Sequence, residues 1–269
     1  MDAFHKLRES STCPARVDPA LAPMAQRRGA SQAATERWEK FAHDDPYTYI
    51  LTNLKRPDAD EFWQSGERTI QSEIDPLLQA CEVRPFFALE LGCGIGRLVV
   101  PLSRRFRQVL GTDSSPRMVG RATSYARDNA IENVSFVAIS GPEDLLERVG
   151  GHAGNCDLIY SLLVFQHIPD FSTIQGYLHV VQVLLHERGL AYLQFDTRPK
   201  TAAYRLKTRL PDFVLPRFWR RSIRRIRRST EEIEGALQRA NLEVVAEFSR
   251  GTVYHRYLVR RPQHRSEAR

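Results

Sequence analysis

The segment Ala88-Leu89-Glu90-Leu91-Gly92-Cys93-Gly94-Ile95-Gly96-Arg97 constrains this chain more than any other. Its apolar start predicts a buried strand, and glycines at alternate positions predict a sharp turn that opens a helix. Without a Cβ, glycine lets a ligand come close to the main chain, and a helix N-terminus carries N–H groups with no partner inside the helix. The turn therefore reads as a cofactor cradle or, in the plain alternative, as an ordinary strand-to-helix connection. The dinucleotide fingerprint spaces its last two glycines as G-x-x-G. Here the spacing is G-x-G, and an acid, Glu90, sits two residues ahead.

From Phe86 onward short apolar runs alternate with helical patterns, which predicts an α/β fold with a parallel sheet and crossover helices. The expected strands are 86–91, 108–112, 134–139, 156–162 and 190–195, with Gly189 ending the turn before the last of them. The expected helices are 97–106 in spite of Pro101, one that starts at Ser115-Pro116 and runs to about 130, and 171–185. Ser229-Thr230-Glu231-Glu232 is a capping box for a helix that buries Ile233, Ala236, Leu237 and Ala240. Alternating runs at 242–248 and 252–259 around Ser249-Arg250-Gly251 predict a closing hairpin. Ahead of the sheet, helices are expected over 32–43, with Trp38 and Phe41 on one face, and over 60–81, where Pro76 predicts a kink or break. Residues 1–30 read as a disordered tail, 31–82 as an N-terminal helical lid and 83–269 as the core. Within the core, 197–228 is a basic helical insert too long for an ordinary connection.

The formal charge of +7 is unevenly placed. Arg205 to Arg228 holds ten basic residues and one acid, Asp212, a net of +9, so that the rest of the chain sums to −2 against the total of +7. Whole-chain basicity is therefore no sign of a nucleic-acid-binding domain. Cys13, Cys81, Cys93 and Cys156 are far apart and form no C-x-x-C pair, so neither a zinc cluster nor a disulfide framework is expected, and no metal. No run approaches the roughly 18 apolar residues of a membrane span, and the charged N-terminus leads into no apolar run. The expectation is a soluble, cytoplasmic protein.

Asp113 stands at the end of the second strand, where a carboxylate can accept both hydroxyls of a ribose. With it the chain resembles the class I S-adenosylmethionine-dependent methyltransferases. The resemblance rests on ALELGCGIGR (88–97), GTDSSPRM (111–118), CDLIYSLLVFQHIPD (156–170) and the closing hairpin, and covers roughly 63–259. It implies a Rossmann-like sheet of seven strands in the order 3-2-1-4-5-7-6, the last antiparallel, with helices on both faces, an N-terminal helical extension and a helical insert after strand 5. It also implies S-adenosyl-L-methionine as the cofactor. By position, Glu90, Gly92, Cys93 and Gly94 would line the methionine end, with Gly96 and Arg97 completing the turn. Asp113 would hold the ribose, and Ser114 and Met118 would flank the adenosine. Glu143 or Asp144 would meet the adenine amino group, in a loop that departs from the commoner G-D-A pattern. Ser161 and Leu162 would close the methionine side, and Arg68 is a candidate for its carboxylate.

Displacement at a sulfonium methyl chiefly needs an aligned acceptor and excluded water. A hydroxyl acceptor adds the need for a base, and His167 is correctly placed for it in chain order; its other reading is a packing or capping residue. Methylases of exocyclic amino groups carry N-P-P-Y or D-P-P-Y after the fourth strand, and Tyr160-Ser161-Leu162-Leu163 does not match. Trp38, Tyr47, Tyr49 and Trp63, with Phe218 and Trp219 of the insert, are candidate lid or substrate contacts. The expected activity is methylation of an oxygen or nitrogen of a small-molecule acceptor, and the resemblance implies a setting in secondary or intermediary metabolism such as natural product biosynthesis. Two alternatives stay open: an RNA or protein methylase that uses the Arg-rich insert, and a catalytically silent cofactor-binding partner protein.

Overall fold

The computed structural model describes residues 28–45, 47, 50, 58–211, 213–215 and 225–263. Seven strands form one sheet: β1 Phe87–Leu91, β2 Gln108–Asp113, β3 Val134–Ala138, β4 Cys156–Ser161, β5 Leu185–Phe195, β6 Glu243–Phe248 and β7 His255–Arg260. Their order is β3-β2-β1-β4-β5-β7-β6, as the resemblance implies. β1 to β5 run parallel, and β7 is antiparallel between β5 and β6. β1 and β4 are buried at every position, as central strands covered on both faces must be. The chain steps outward from β1 to β3 and then returns to place β4 on the other side of β1. In open sheets of this kind, the crevice beyond the carboxyl ends at that reversal is where ligands bind.

Helices α1 Arg28–Asp44 and α2 Ala59–Thr69 precede the sheet, and α2 runs through a π-helical turn, Ile70–Ile74, into α3 Asp75–Ala80. Then follow α4 Val99–Leu102, α5 Pro116–Asp128, α6 Pro142–Val149, α7 Phe171–Leu184, α8 Ala202–Arg209 and α9 Thr230–Arg239. Side chains of α7 and α9, among them Leu178, Val181, Ile233 and Leu237, fill one face of the sheet. Ile70, Ile74, Val99 and Leu102 fill the other.

The two proline-bearing helices differ from expectation in instructive ways. The 60–81 helix does not break at Pro76. Proline has no N–H to give, and the chain widens the preceding turn instead, with the Asp75 N–H reaching back to Ile70 O in a π-type bond. The 97–106 helix is regular only over Val99–Leu102. Pro101 removes the N–H that would have bonded the Arg97 carbonyl, and that carbonyl lies instead against the buried Gly66 of α2, where an added Cβ would collide with it. β5 starts at Leu185, not at Leu190, because Leu185 pairs with Cys156 ahead of a bulge, so Gly189 lies inside the strand with its Cα against the Cys156 carbonyl. The expected caps form: Ser115 Oγ accepts from Met118 N–H at 3.1 Å, and the Ser229/Glu232 box is complete.

The contact between Gly66 and Arg97 predicts that Gly66→Ala lowers stability by about 1–3 kcal/mol in urea denaturation, as overpacking does. Gly120, on α5, would meet nothing within 4 Å on gaining a Cβ. Gly120→Ala is therefore expected to raise stability by up to about 1 kcal/mol.

Candidate functional site

At the carboxyl ends of β1, β2 and β4 lies a cavity walled by the glycine turn, the β2–α5 turn and the segment after β4. The glycine turn is stapled to the end of β2. Gly92 and Cys93 N–H both donate to Thr112 O, at 2.7 and 2.9 Å, and Gly94 N–H donates to Asp113 Oδ2 at 2.8 Å. Thr112 Oγ1 donates to Glu90 O at 2.9 Å. Gly92, Gly94 and Gly96 have φ of 78°, 54° and 89°, in the left-handed region that costs other residues about 1 kcal/mol or more. The turn was expected to offer free N–H groups, but at Gly92, Cys93 and Gly94 they are already taken. It presents bare backbone to the cavity.

Carboxylates therefore set the polarity. Glu90 is 3% exposed, and desolvation pushes its pKa up to about 8, although Tyr160 OH donates to Oε2 at 3.0 Å and Arg97 lies near. Asp113 also accepts from Ser115 N–H at 2.9 Å, yet burial holds its pKa above the usual range. Arg97 is buried too, with Nη1 donating to Thr69 Oγ1 at 3.2 Å and Ser65 Oγ at 3.4 Å, and burial lowers its pKa. The Cys93 thiol is held well above its ordinary value by burial and by Asp113 and Glu90. Two acids, one guanidinium and occupied backbone donors suit a cationic or hydroxyl-bearing ligand and disfavour a phosphate.

The rim is formed by segments distant in sequence. Thr35 and Trp38 of α1 line the cavity, and Glu39 fastens α1 by accepting from Ser115 Oγ and, at 3.0 Å, from Arg117 N–H. An acid there also complements the positive end of the α5 dipole. Ile50 Cδ1 sits where a Cβ on Gly94 would come within 2.8 Å. Across the cavity, Trp38 meets His167 edge to face at 5.6 Å. Burial, then Arg225, pushes the His167 pKa down to about 4. His167 Nδ1 and Gln166 Oε1 are buried with no hydrogen-bond partner among the described residues. Leu163, in the same segment, has φ of 65°, a strained value for leucine.

Of the residues singled out in the sequence, Glu90, Gly92, Cys93, Gly94, Arg97, Asp113, Ser114, Met118, Leu162 and His167 line this cavity. Others do not. Gly96 packs against Phe136, and Ser161 Oγ donates to Leu91 O at 3.0 Å, tying β4 to β1. Glu143 is exposed, and Asp144 accepts from Ser140 N–H at 2.7 Å and pairs with Arg148 at 2.6 Å. The loop after β3 contributes Ile139 and Ser140 to the wall instead. Trp63 stacks on Tyr125 at 3.8 Å, Tyr47 packs on Phe62 at 4.9 Å, and Arg68 is exposed. Tyr49, Phe218 and Trp219 lie outside the described residues. Thr35, Ile50, Gln166 and Tyr177 also line the cavity and had no role assigned from sequence. Gln166 could have been found as the neighbour of His167, whereas the other three carry no local signal. Among the described residues no cluster of side chains could hold a metal ion, and no helix is long and apolar enough to cross a membrane.

Residues 88–189 match the family described as "Methyltransferase domain". A 23S rRNA (uracil(1939)-C(5))-methyltransferase of Methylococcus capsulatus is 32% identical over 130 residues, which are 47% of this chain and 29% of that protein. A tRNA/tmRNA (uracil-C(5))-methyltransferase of Pseudomonas aeruginosa is 46% identical over 82 residues, 30% of this chain and 23% of that protein. The chain thus spans less than a third of the length of these relatives. Among solved structures, the magnesium protoporphyrin IX methyltransferase of Synechocystis PCC 6803 with bound SAH aligns at TM-score 0.61 and 18% identity, covering 87% of this chain and 100% of that one. An S-adenosylmethionine-dependent methyltransferase of Clostridium acetobutylicum aligns at 0.57 and 16%, covering 84% and 100%. At these identities the structures establish the fold.

Glu90 generates a prediction about pH. In the folded protein its carboxyl keeps a proton up to about 8, against an ordinary value of 4.5. Between those values the native state binds more protons than the unfolded chain, so this group's contribution to stability falls as pH rises. Glu90→Gln removes that fall. In urea unfolding without ligand, the variant gains on the wild type steadily from about pH 5 to about pH 8 and ends at least about 1 kcal/mol ahead. Parallel pH profiles for the two proteins would overturn the assignment.

Proposed function

We propose that the chain is a class I S-adenosylmethionine-dependent methyltransferase that transfers a methyl group from S-adenosylmethionine to an oxygen or nitrogen atom of a small-molecule acceptor. The polarity of the cavity carries the reading. Glu90 and Asp113 face a space whose nearest backbone donors are engaged by β2. S-adenosylmethionine brings a sulfonium, an ammonium and a ribose diol, and no phosphate. The positive groups would favour ionised Glu90, Asp113 would accept from the diol, and Ser114, Met118 and Ile139 would border the adenosine. Leu162 and Ser140 line the same cavity, where Ser140 would meet the adenine amino group in place of Glu143 or Asp144.

When bound, the cofactor supplies an electrophilic methyl group with a neutral thioether as leaving group. The protein's own work is to align the acceptor and keep water out, for which α1 and the Leu163–His167 segment form the walls. His167 is neutral at pH 7 and, at about 4, too weak a base to draw a proton from a hydroxyl. We therefore assign it to shaping the acceptor space, and favour acceptors that present a free amine or an already ionised oxygen. The carbon methylation named for the curated relatives is not carried over. An electron-poor ring carbon needs a nucleophile added beside it first, and Cys93, the cysteine that lines the cavity among the described residues, is held protonated by burial and by Asp113 and Glu90.

Isothermal titration with S-adenosylmethionine tests the cofactor assignment. Asp113→Ala is expected to weaken binding at least about tenfold, the loss of one or two hydrogen bonds to a charged group. Equal, weak binding by both proteins would sink it. For the acceptor, labelled methyl transfer to an amine, carboxylate and phenol panel is the expected outcome, and transfer to total RNA alone would overturn that part.

A further inference from the structure

Among the described residues, the charge of the insert falls into two parts. At its far end the arginines are committed to the protein itself. Arg228 Nη2 donates to Pro169 O at 2.6 Å and its guanidinium lies over Phe171. Arg227 Nη1 donates to Pro199 O at 2.6 Å, and its guanidinium lies 4.4 Å from the Tyr204 ring centre. Arg225 lies over Tyr254. At the near end, on α8, Arg205 and Arg209 are exposed, and their guanidinium groups make no ion pair among the described residues. Leu206 between them is 64% exposed, and Leu210, Phe213 and Val214 follow at 37%, 82% and 56%.

Such side chains are ordinarily scattered over a soluble surface, and a cluster of them marks a contact site. Aliphatic and aromatic groups flanked by unpaired arginines have the chemistry of an interfacial segment, which buries its apolar side chains among acyl chains while its guanidiniums meet lipid phosphates. We infer that the surface formed by Arg205, Leu206, Arg209, Leu210, Phe213 and Val214 docks on an anionic lipid bilayer. RNA, the other polyanion, fits these residues less well. Bases stack on aromatic or guanidinium planes, and Leu206, Leu210 and Val214 offer neither. An RNA surface would also spread charge over the domain, whose remainder outside Arg205 to Arg228 sums to −2. The base of α8 is tied to the segment at the cavity rim, with Arg227 N–H donating to Tyr204 OH at 3.0 Å and Ile226 N–H donating to Gln166 O at 2.7 Å. The inference does not depend on the acceptor proposed above.

Sedimentation of the full chain with sucrose-loaded vesicles tests it. We expect binding to vesicles of phosphatidylcholine with about a quarter phosphatidylglycerol, little binding to phosphatidylcholine alone, and release in ~0.5 M salt. Arg205→Gln/Arg209→Gln and Leu206→Ser/Phe213→Ser should each lower the partition coefficient by roughly tenfold or more. Failure to bind anionic vesicles would overturn the inference. So would undiminished binding by the Leu206→Ser/Phe213→Ser protein, which would mean adsorption by charge alone. Binding to poly(U) that both variants abolish, with none to vesicles, would reassign the surface to RNA. Titration of each variant with S-adenosylhomocysteine serves as the fold control, and its failure in the wild type would count against the cofactor assignment without touching the vesicle result.

Discussion

The ligand end of this sheet depends on how the last two residues of β2 grip the turn after β1. One carbonyl, that of Thr112, takes the N–H groups of both Gly92 and Cys93, and one carboxylate, that of Asp113, takes Gly94. The grip requires left-handed backbone at Gly92 and Gly94, which explains glycine there better than any contact with a ligand does. It also decides what the cavity can hold. A turn with free N–H groups is an anion site; one whose N–H groups are already satisfied, with Glu90 and Asp113 on its walls, is a site for positive charge and hydroxyls. The same glycine-rich pattern can thus serve opposite ligand chemistries, according to what the neighbouring strand does with its donors.

Support for the turn comes from helices that precede the sheet. Ser65 and Thr69 of α2 hold Arg97, whose carbonyl in turn fits against Gly66. One turn further on, the π-helical widening forced by Pro76 carries Glu73, which accepts from Arg256 of β7 at 2.7 Å. Burial raises the Glu73 pKa even against Arg256 and Arg97. The glycine turn, the π turn and the closing hairpin are therefore linked by charges in a low-dielectric layer, where an unpartnered member is costly.

The strands and the acids at their ends were legible in the sequence because each is local, a run of apolar residues, a glycine spacing or an acid at a strand terminus, whereas the strand order came only from the resemblance to a known family. The proline effects were visible in kind but not in outcome, since Pro76 could equally break a helix or widen it, and only the burial of Ile70 and Ile74 against the sheet favours continuity. Glu143 and Asp144 had the right chemistry and the right place in the chain, yet Asp144 closes its own loop through Ser140 and Arg148, a competition that sequence does not reveal. The clasp from Glu39 to Ser115 joins residues separated by 76 positions, and no local pattern announces it. The basic insert was legible as a charged helical segment, and α8 lies within it; which of its described arginines are committed to aromatic rings and carbonyls is a matter of tertiary contact.

The base of that insert has a consequence for how such a protein can change. Its two ends are clamped side by side, with Asp196 bridged to Arg227 and accepting Arg228 N–H at 2.9 Å. Once a loop is closed at its neck, lengthening or rewriting its interior costs little, because closure entropy grows only with the logarithm of length. The exposed part of α8 beyond Tyr204 can therefore be rewritten while the sheet and the cradle beneath it stay as they are.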